Sequence, residues 1–447
     1  MSENNQQINL KLFAQGVSLP YELLETDPIP DGAKEGHFIE IRCGGFGSEI
    51  SAHPSIKNQF YALTDRGPNT TYNVNNDNGK IFLDPSYTPK IGLFELLDDG
   101  TIHKLKEILL KNPAGSAITG LPNREFGASK ETAYDRDGNV LANGTDEYGL
   151  DAEGLVALKD GTFWVSDEYG PHIVHFDAEG IEIDRINAYV KDDRRVSGYL
   201  LPAEYANRRQ NRGMEGLTIT TDQSTLLGVM QSCMSHPDAA ANKSTLTRIV
   251  SINLKTKAIA QYLYRQEDGV EPHSNTAFVA LSHNSFLVAE RDDTFYKDNP
   301  DAFKRVYKID LSQATDLESV LESDVFKQDP ALGLTLHGQT LEQYVMANGW
   351  DALVDLGIRA VDKHLVVDLV ERLDYPHDKV EGLWVIDESH LAVINDDDYG
   401  FSENNGVLEQ KYLDQAQTVI DANTLYIIDD LDLSPISDQP SVWVNSR

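Results

Sequence analysis

The clearest pattern of hydrophobic and polar positions lies between residues 150 and 170, where two runs rich in β-forming residues flank a tight turn. In this turn, Lys159-Asp160-Gly161, the glycine can supply the positive φ that a short hairpin connection needs. Glu153 opens the first run, and Asp167-Glu168 closes the second. Because both open ends of a hairpin lie at the same place, the pattern predicts that these carboxylates lie close together.

The same pattern of a strand, a turn and a second apolar strand recurs along the chain. Its first positions are residues 49, 153, 215, 276 and 381, so the intervals are 104, 62, 61 and 105 residues. An interval of about sixty residues fits one four-stranded unit, and strand repeats of this size are typical of a β-propeller. Each long interval could hold a further unit or a large insertion. We therefore predict an all-β fold, a β-propeller with six blades.

Other stretches extend this prediction. The runs 172–177 and 305–310 are expected to be third strands of blades, and 424–429 is expected to pair with an N-terminal strand over 8–14 and close the ring. Residues 339–357 have helical spacing and predict a small helical insertion. Residues 191–212 are polar and basic and predict a long loop or a short helix. The chain contains no low-complexity linker, so we predict one domain over residues 1–447.

Composition limits the partners. The chain has 72 acidic and 38 basic residues, a formal charge of −34, which would repel nucleic acid and anionic membranes. Acidity suits metal cations, although an adaptation to solubility or salt would explain it equally well. There is no apolar run of eighteen residues and no charged-then-apolar leader at residues 1–5, so we expect no membrane span. Cys43 and Cys233 could pair, but neither has metal-ligand spacing.

Several ordered motifs accompany the repeats. They are Gly44-Gly45-Phe46-Gly47, Leu63-Thr64-Asp65-Arg66-Gly67, Asp151-Ala152-Glu153-Gly154-Leu155, Ser166-Asp167-Glu168-Tyr169-Gly170-Pro171, Asn211-Arg212-Gly213-Met214-Glu215-Gly216-Leu217, Ala289-Glu290-Arg291-Asp292, Lys379-Val380-Glu381-Gly382-Leu383 and Asn395-Asp396-Asp397-Asp398-Tyr399-Gly400. These motifs resemble those of the phytase-like family, described as having esterase-like activity of phytase, and the likeness runs from about residue 35 to residue 430. More distantly, the chain is similar to calcium-dependent β-propeller phytases, in which acids at strand ends hold calcium beside the substrate phosphate. By that likeness Glu153, with Glu168 or Asp167, is expected to bind metal.

In a propeller the first strands face the central axis, so the glutamates that open them could converge at one mouth of the channel. Carboxylates placed together without a counter-charge repel each other by several kcal/mol, so a cation is expected there. Oxygen ligands favour Ca²⁺, with Mg²⁺ a weaker candidate, and the lack of cysteine clusters disfavours soft metals. In a structural alternative, each carboxylate accepts backbone N–H bonds from the adjacent blade. The candidate ligands are Glu49, Glu153, Glu168, Glu215, Glu290, Glu381, Asn395 and Asp396.

Arginines in or beside the motifs could neutralise a phosphoryl substrate that bridges to the cation. The candidates are Arg66, Arg212 and Arg291, although each could equally form a salt bridge between blades. Asp167 is a candidate general base, and Glu153 is the strongest single candidate for the reaction centre. The chain has neither a Gly-x-Ser-x-Gly elbow nor a phosphate-binding Gly-x-x-x-x-Gly-Lys loop, which argues against a serine esterase and a nucleotide hydrolase.

These features predict a calcium-dependent hydrolase of a phosphoric ester. One alternative is a metal-dependent lactonase or carboxylic-ester hydrolase, which an apolar mouth with few basic residues would favour. Another is a non-catalytic propeller with structural calcium, which a metal without an open coordination position would favour. We expect a small phosphorylated or ester substrate, a monomer, and a periplasmic or extracellular location.

Overall fold

The computed structural model describes residues 8–24, 28–72, 78–270, 272–404 and 406–436. These residues form five antiparallel sheets of four strands each, numbered here by the position of the first strand. In hydrogen-bonding order the strands are Glu49–Ala52, Gln59–Leu63, Lys90–Leu96 and Ile102–Leu109 in sheet 1; Ala152–Ala157, Phe163–Asp167, Ile173–Phe176 and Glu182–Ile186 in sheet 2; Met214–Ile219, Thr225–Met230, Leu246–Asn253 and Ile259–Arg265 in sheet 3; Ser274–Ala280, Ser285–Arg291, Lys304–Asp310 and Asp362–Asp368 in sheet 4; and Gly382–Val385, Leu391–Ile394, Thr424–Ile428 and Val17–Ser18 in sheet 5.

The five sequence repeats supply the first two strands of these five sheets. In sheet 2 the hairpin turn contains Gly161 with φ of +89°, the left-handed backbone that the sequence predicted. The expected third strands are present as Ile173–Phe176 and Lys304–Asp310. The all-β prediction and the repeated hairpins are therefore confirmed.

The first strand of each sheet contacts the first strands of two other sheets, in the order 1, 2, 3, 4, 5 and back to 1, an arrangement like that of a propeller. A hydrophobic cluster fills the space between each pair of neighbouring sheets. Phe60 of sheet 1, for example, packs against Trp384 of sheet 5 with ring centroids 5.4 Å apart. The second strands of sheets 2 to 5 are buried at every position, and most of their residues are apolar, as is typical of strands covered on both faces.

The two long intervals between repeats contain insertions. The first holds a three-stranded sheet. The second holds another three-stranded sheet followed by two helices, which confirms the helical insertion predicted over 339–357. A two-stranded hairpin follows the second strand of sheet 5. The prediction of six blades is not confirmed, since the described residues form five four-stranded sheets. The inserted elements are Asn69–Tyr72, Gly79–Phe82 and Thr132–Tyr134; Phe326–Asp329, Gly333–Leu336, Gln339–Thr340, α1 (Leu341–Asn348) and α2 (Trp350–Asp355); and Phe401–Asn404 with Val407–Gln410.

At the N-terminal end the strand predicted over 8–14 is wrong. Leu10–Phe13 forms a 3₁₀ helix in which Phe13 alone is fully buried, so the segment lacks the alternating burial of a strand. Val17 instead pairs opposite Leu425, so a short strand just beyond that helix extends sheet 5. The remaining helices are the 3₁₀ helices Ala203–Asn207, Ala239–Lys243, Leu317–Ser319 and Asp398–Gly400, and α3 (Leu369–Leu373).

Two further predictions can be compared with the fold. Among the described residues, no helix is long and apolar enough to cross a membrane. Cys43 and Cys233 are both free thiols, so they do not pair here.

A buried ion cluster fixes the helical insertion to sheet 3. Glu342 of α1 accepts hydrogen bonds from Arg248 of sheet 3 and lies 2.7 Å from His236 Nε2. Burial by itself would raise the pKa of Glu342, but Arg248 and His236 outweigh it and hold the pKa at about 2. The carboxylate therefore remains ionised and paired inside the protein.

We expect the substitution Glu342→Gln to lower the free energy of unfolding by about 3 kcal/mol, because it leaves the buried Arg248 without a counter-charge. The ordinary pKa of this group is 4.5, so its contribution is fully present above that pH and is lost as the pH falls towards 2. Urea unfolding at pH 7 and pH 3 measures both effects. Asp351→Asn, at an exposed position of α2, should change the free energy by less than about 0.5 kcal/mol. An equal loss in both variants would contradict the prediction.

Candidate active site

A cavity of about 380 Å³ is lined by residues near the starts of the first strands and the ends of the second strands, together with residues of two insertions. Its described lining contains ten carboxylates, five basic side chains and one apolar side chain, that of Phe401. The excess of negative charge would oppose folding unless protons or cations neutralise it. The carboxylates are Asp65, Asp151, Glu153, Glu168, Glu215, Asp293, Glu381, Asp396, Asp398 and Glu403, and the basic residues are Arg66, Lys80, Arg212, Arg291 and Lys379.

The repeated Glu-Gly pairs have a packing reason as well as a chemical one. A Cβ atom on Gly154 would lie 2.6 Å from the carbonyl oxygen of Glu215, in the neighbouring sheet. Ser166 donates a hydrogen bond to that same oxygen at 3.1 Å and accepts one from the Gly154 amide at 2.9 Å. The glycine therefore lets adjacent first strands approach each other, and this approach brings their glutamates to one cavity.

Three carboxylates form the strongest candidate for a cation site. Asp151, Glu153 and Glu168 are buried, and each offers a ligand oxygen within 4.8 Å of the others. Oδ1 of Asp151 and Oε1 of Glu168 are buried without a hydrogen-bond partner, and Oδ2 of Asp151 lies 3.1 Å from Arg66 Nη1. Burial, followed by Asp151, raises the pKa of Glu168 to about 8. Burial also raises the pKa of Glu153, and Glu215 and Asp151 add to that shift. We call these three residues the triad.

Three other predicted ligands line the cavity but already have partners. Glu215 accepts a hydrogen bond from the side-chain amide of Gln231. Glu381 accepts one from Arg291 at 2.6 Å, and Asp396 accepts one from Lys379 at 2.7 Å. Arg291 and Lys379 therefore offset the charges of Glu381 and Asp396, whereas Glu215 has a neutral hydrogen-bond donor.

The three predicted arginines all line the cavity, but their environments differ. Arg66 lies 3.1 Å from Asp151 Oδ2 and donates to Asn211 at 2.6 Å. Arg291 is paired with Glu381 and with Asp293. Arg212 instead donates to the carbonyl oxygen of His273 and to Ser274 Oγ, each at 3.1 Å, and forms no ion pair with the described residues.

Two predicted site residues accept backbone hydrogen bonds outside the cavity. Glu49 Oε1 accepts the amides of Ile50 and Leu383, both at 3.0 Å, and so joins sheet 1 to sheet 5. This is the structural alternative foreseen for the repeated glutamates. Asp167 accepts the amides of Asp151 at 2.9 Å and Gly170 at 2.8 Å and is fully buried. Neither side chain lines the cavity, so we do not retain the ligand role of Glu49 or the general-base role of Asp167.

Glu290 and Asn395 also lie outside the cavity lining. Neighbouring residues of a strand point to opposite faces, so Arg291 reaches the cavity while Glu290 lies 2.7 Å from His273 Nε2 and pairs with Lys363. Asn395 donates to Asp421 at 3.2 Å and accepts the amide of Thr424 at 2.7 Å. Their oxygens serve bonds between strands, and we no longer assign them to a metal.

Sequence reasoning missed several lining residues. Asp151 stands two positions before Glu153 at the start of the same hairpin, so the argument that joined Glu153 to Glu168 could have included it. Lys379 occupies the equivalent position before Glu381. Lys80 lies on an inserted strand outside the repeats, and no sequence signal indicated its place.

A family model described as "Phytase-like: Esterase-like activity of phytase" matches residues 41–399, which confirms the resemblance seen in the motifs. An "Uncharacterized secreted protein" of Arthroderma benhamiae is 32% identical over 303 residues, 56% of this chain. The match spans 59% of that relative's length.

Solved structures of low sequence identity also align with the chain. A luciferin-regenerating enzyme has a TM-score of 0.35 and 10% identity, over 91% of this chain and 97% of that one. A PQQ-bound aldose sugar dehydrogenase from Streptomyces coelicolor has a TM-score of 0.32 and 10% identity, over 92% and 97%. TM-scores this low support no conclusion about fold or function.

Proposed function

Because the chain belongs to the phytase-like family, we propose that it is a calcium-dependent hydrolase of a phosphoric ester. The family description supports ester hydrolysis. The observation that carries the proposal is the buried triad, which lies in the same cavity as Arg212. The triad offers a place for a cation, and Arg212 offers a charge that the described residues do not neutralise.

The donor set fits calcium. Ca²⁺ takes six to eight oxygen ligands in flexible geometry, whereas Mg²⁺ demands a near-ideal octahedron. The triad supplies carboxylate oxygens without hydrogen-bond partners, and Gln231 has a buried Oε1 that also lacks one. When bound, the ion would polarise the phosphorus–oxygen bond and lower the pKa of a bound water.

The protein's own side chains would bind and orient the ester. Arg212 can donate two parallel hydrogen bonds to phosphoryl oxygens, and its contacts with Ser274 and His273 hold it in place. Arg66 and Arg291 act as positioning residues, since they are paired with Asp151 and Glu381. These contacts fix the phosphoryl group beside the triad.

Glu215 replaces Asp167 as the candidate general base. Its carboxylate lines the cavity and is oriented by Gln231. Burial, followed by Glu168, raises the pKa of Glu215 well above its ordinary value. A raised pKa makes the ionised carboxylate a stronger base towards the attacking water.

The alternative of a lactonase receives less support. An apolar mouth would favour it, but Phe401 is the one apolar side chain in the described lining. We also propose an extracellular or periplasmic location, since the relative from Arthroderma benhamiae carries a secreted description. That the protein is a monomer stays a prediction.

The test is hydrolysis of p-nitrophenyl phosphate, bis-p-nitrophenyl phosphate and a set of lactones by the chelator-treated protein. We expect a phosphoester to be hydrolysed once calcium is added, and we expect no lactone to be opened. Phosphoester hydrolysis that persists in chelator would contradict the role of calcium. Absence of phosphoester hydrolysis with calcium present would contradict the proposed function itself and support a non-catalytic module.

A further inference from the structure

Some basic side chains of the cavity have no ion-pair partner among the described residues, and they limit the class of substrate. This inference rests on the proposed function. Of the five basic side chains in the described lining, Arg66, Arg291 and Lys379 are paired with carboxylates. Arg212 and Lys80 form no ion pair with the described residues. An anionic substrate therefore meets two available cations and an excess of carboxylates.

Lys80 lies on the inserted strand Gly79–Phe82, is partly buried and lines the cavity. Among the described residues, its Nζ donates one long hydrogen bond, to Thr71 Oγ1 at 3.4 Å. Burial lowers the pKa of both Lys80 and Arg212. Both cations line the same cavity as Glu168 of the triad. A partly desolvated ammonium that forms no ion pair with the described residues is suited to hold a phosphoryl oxygen.

The part of the cavity contributed by the insertions differs from the triad in chemistry. The inserted strands Asn69–Tyr72 and Phe401–Asn404 contact each other. Besides the carboxylate of Glu403, their polar lining side chains are the amide of Asn69 and the hydroxyls of Thr70, Thr71 and Ser402. Neutral hydrogen-bonding groups of this kind match the hydroxyls of an alcohol.

We infer that the substrate carries one phosphoryl group, held by Arg212 and Lys80, on an uncharged alcohol that bears hydroxyl groups. Each additional phosphate brings a charge of about −1.5 to −2 at neutral pH. At 4 Å, two like charges near a protein surface repel by about 4 kcal/mol. With no further unpaired cation in the described lining, an alcohol carrying many phosphates is a poor substrate.

The test compares kcat/KM for a hexose 6-phosphate and for inositol hexakisphosphate at the same free calcium concentration. We expect the hexose monophosphate to be preferred at least tenfold. A preference for the hexakisphosphate would overturn this inference and leave the proposed function intact. If neither these esters nor the nitrophenyl phosphates are hydrolysed, the proposed function fails instead.

A separate substitution tests the role of Lys80. Lys80→Ala should raise KM for the hexose phosphate about tenfold with little change in kcat. Its calcium affinity, measured by titration, should be unchanged. An unchanged calcium affinity also shows that the variant folds. Lys106→Ala removes the same charge from an exposed position on the outer strand of sheet 1 and should match the wild type. Equal KM values for Lys80→Ala and the wild type would overturn the assignment.

Discussion

Replacing Glu153 and Glu168 together with glutamine is expected to abolish calcium binding at the triad and to lower kcat/KM for a phosphoester at least 1000-fold. Two of the three clustered carboxylates are then neutral, so the attraction that fixes a divalent cation is largely lost. The expected loss of activity follows from removing the ion's stabilisation of developing charge, which contributes several kcal/mol. Calorimetric titration and steady-state kinetics measure the two effects.

The same double substitution should not destabilise the metal-free protein. Burial raises the pKa of both glutamates, so glutamine removes ionisable groups that are costly to bury. We expect the thermal unfolding midpoint in chelator to equal or exceed that of the wild type. A lower midpoint would show that the loss of activity reflects misfolding.

Glu49→Gln is the matched control. Glu49 occupies the corresponding position of sheet 1, but it lies outside the cavity lining and Oε1 accepts two backbone amides. A glutamine oxygen can accept the same bonds, so calcium affinity and kcat/KM should remain within about twofold of the wild type. Loss of calcium binding in this variant would contradict the distinction between the two glutamates.

Arg212→Ala is expected to lower kcat/KM for the phosphoester 100- to 1000-fold while leaving calcium affinity unchanged. Among the arginines of the described lining, Arg212 is the one without a carboxylate partner. We therefore assign its guanidinium to the phosphoryl oxygens. Loss of one fixed donor to a developing oxyanion costs about 3 kcal/mol. Arg212→Lys should recover part of the loss, since it restores the charge without the planar pair of donors.

Arg265→Ala is the control for Arg212. Arg265 ends the outer strand of sheet 3, and its side chain is 51% exposed in a surface ion pair with Asp268. Its removal should leave kcat/KM unchanged because exposed ion pairs contribute little. If Arg212→Ala has as little effect on kcat/KM as Arg265→Ala, the proposed contact between Arg212 and the phosphoryl group is wrong.

The repeated hairpins could be predicted because each combines local signals, namely strands rich in apolar residues, a polar turn, and an acidic or amide residue at the open end. A glycine in the turn is found in the hairpin of sheet 2 alone, at Gly161. The insertions could not be predicted, because an interval of 105 residues fits an extra blade as well as a loop that carries its own strands. Lys80 belongs to such an insertion, and its place depends on how the inserted sheet folds over the cavity.

Within the repeats, sequence could not separate ligands from structural carboxylates. Glu49 and Glu153 both open a first strand. They differ in the residue that follows, Ile50 or Gly154, but this difference does not indicate which carboxylate lines the cavity. Strand alternation shows that Glu290 and Arg291 face opposite ways. It does not show which of them faces the cavity, because the register of that hairpin shifts between Asn275 and Phe278.

The triad lies on one hairpin, whose ends are seventeen residues apart, whereas Lys80 and Arg212 come from segments far away along the chain. Closing so short a loop is fast and entropically cheap, whereas bringing distant segments together is slow. Ligands that are local in sequence can assemble before the rest of the chain is in place. A folding intermediate that retains the hairpin of sheet 2 would therefore bind calcium before it could bind a phosphoester.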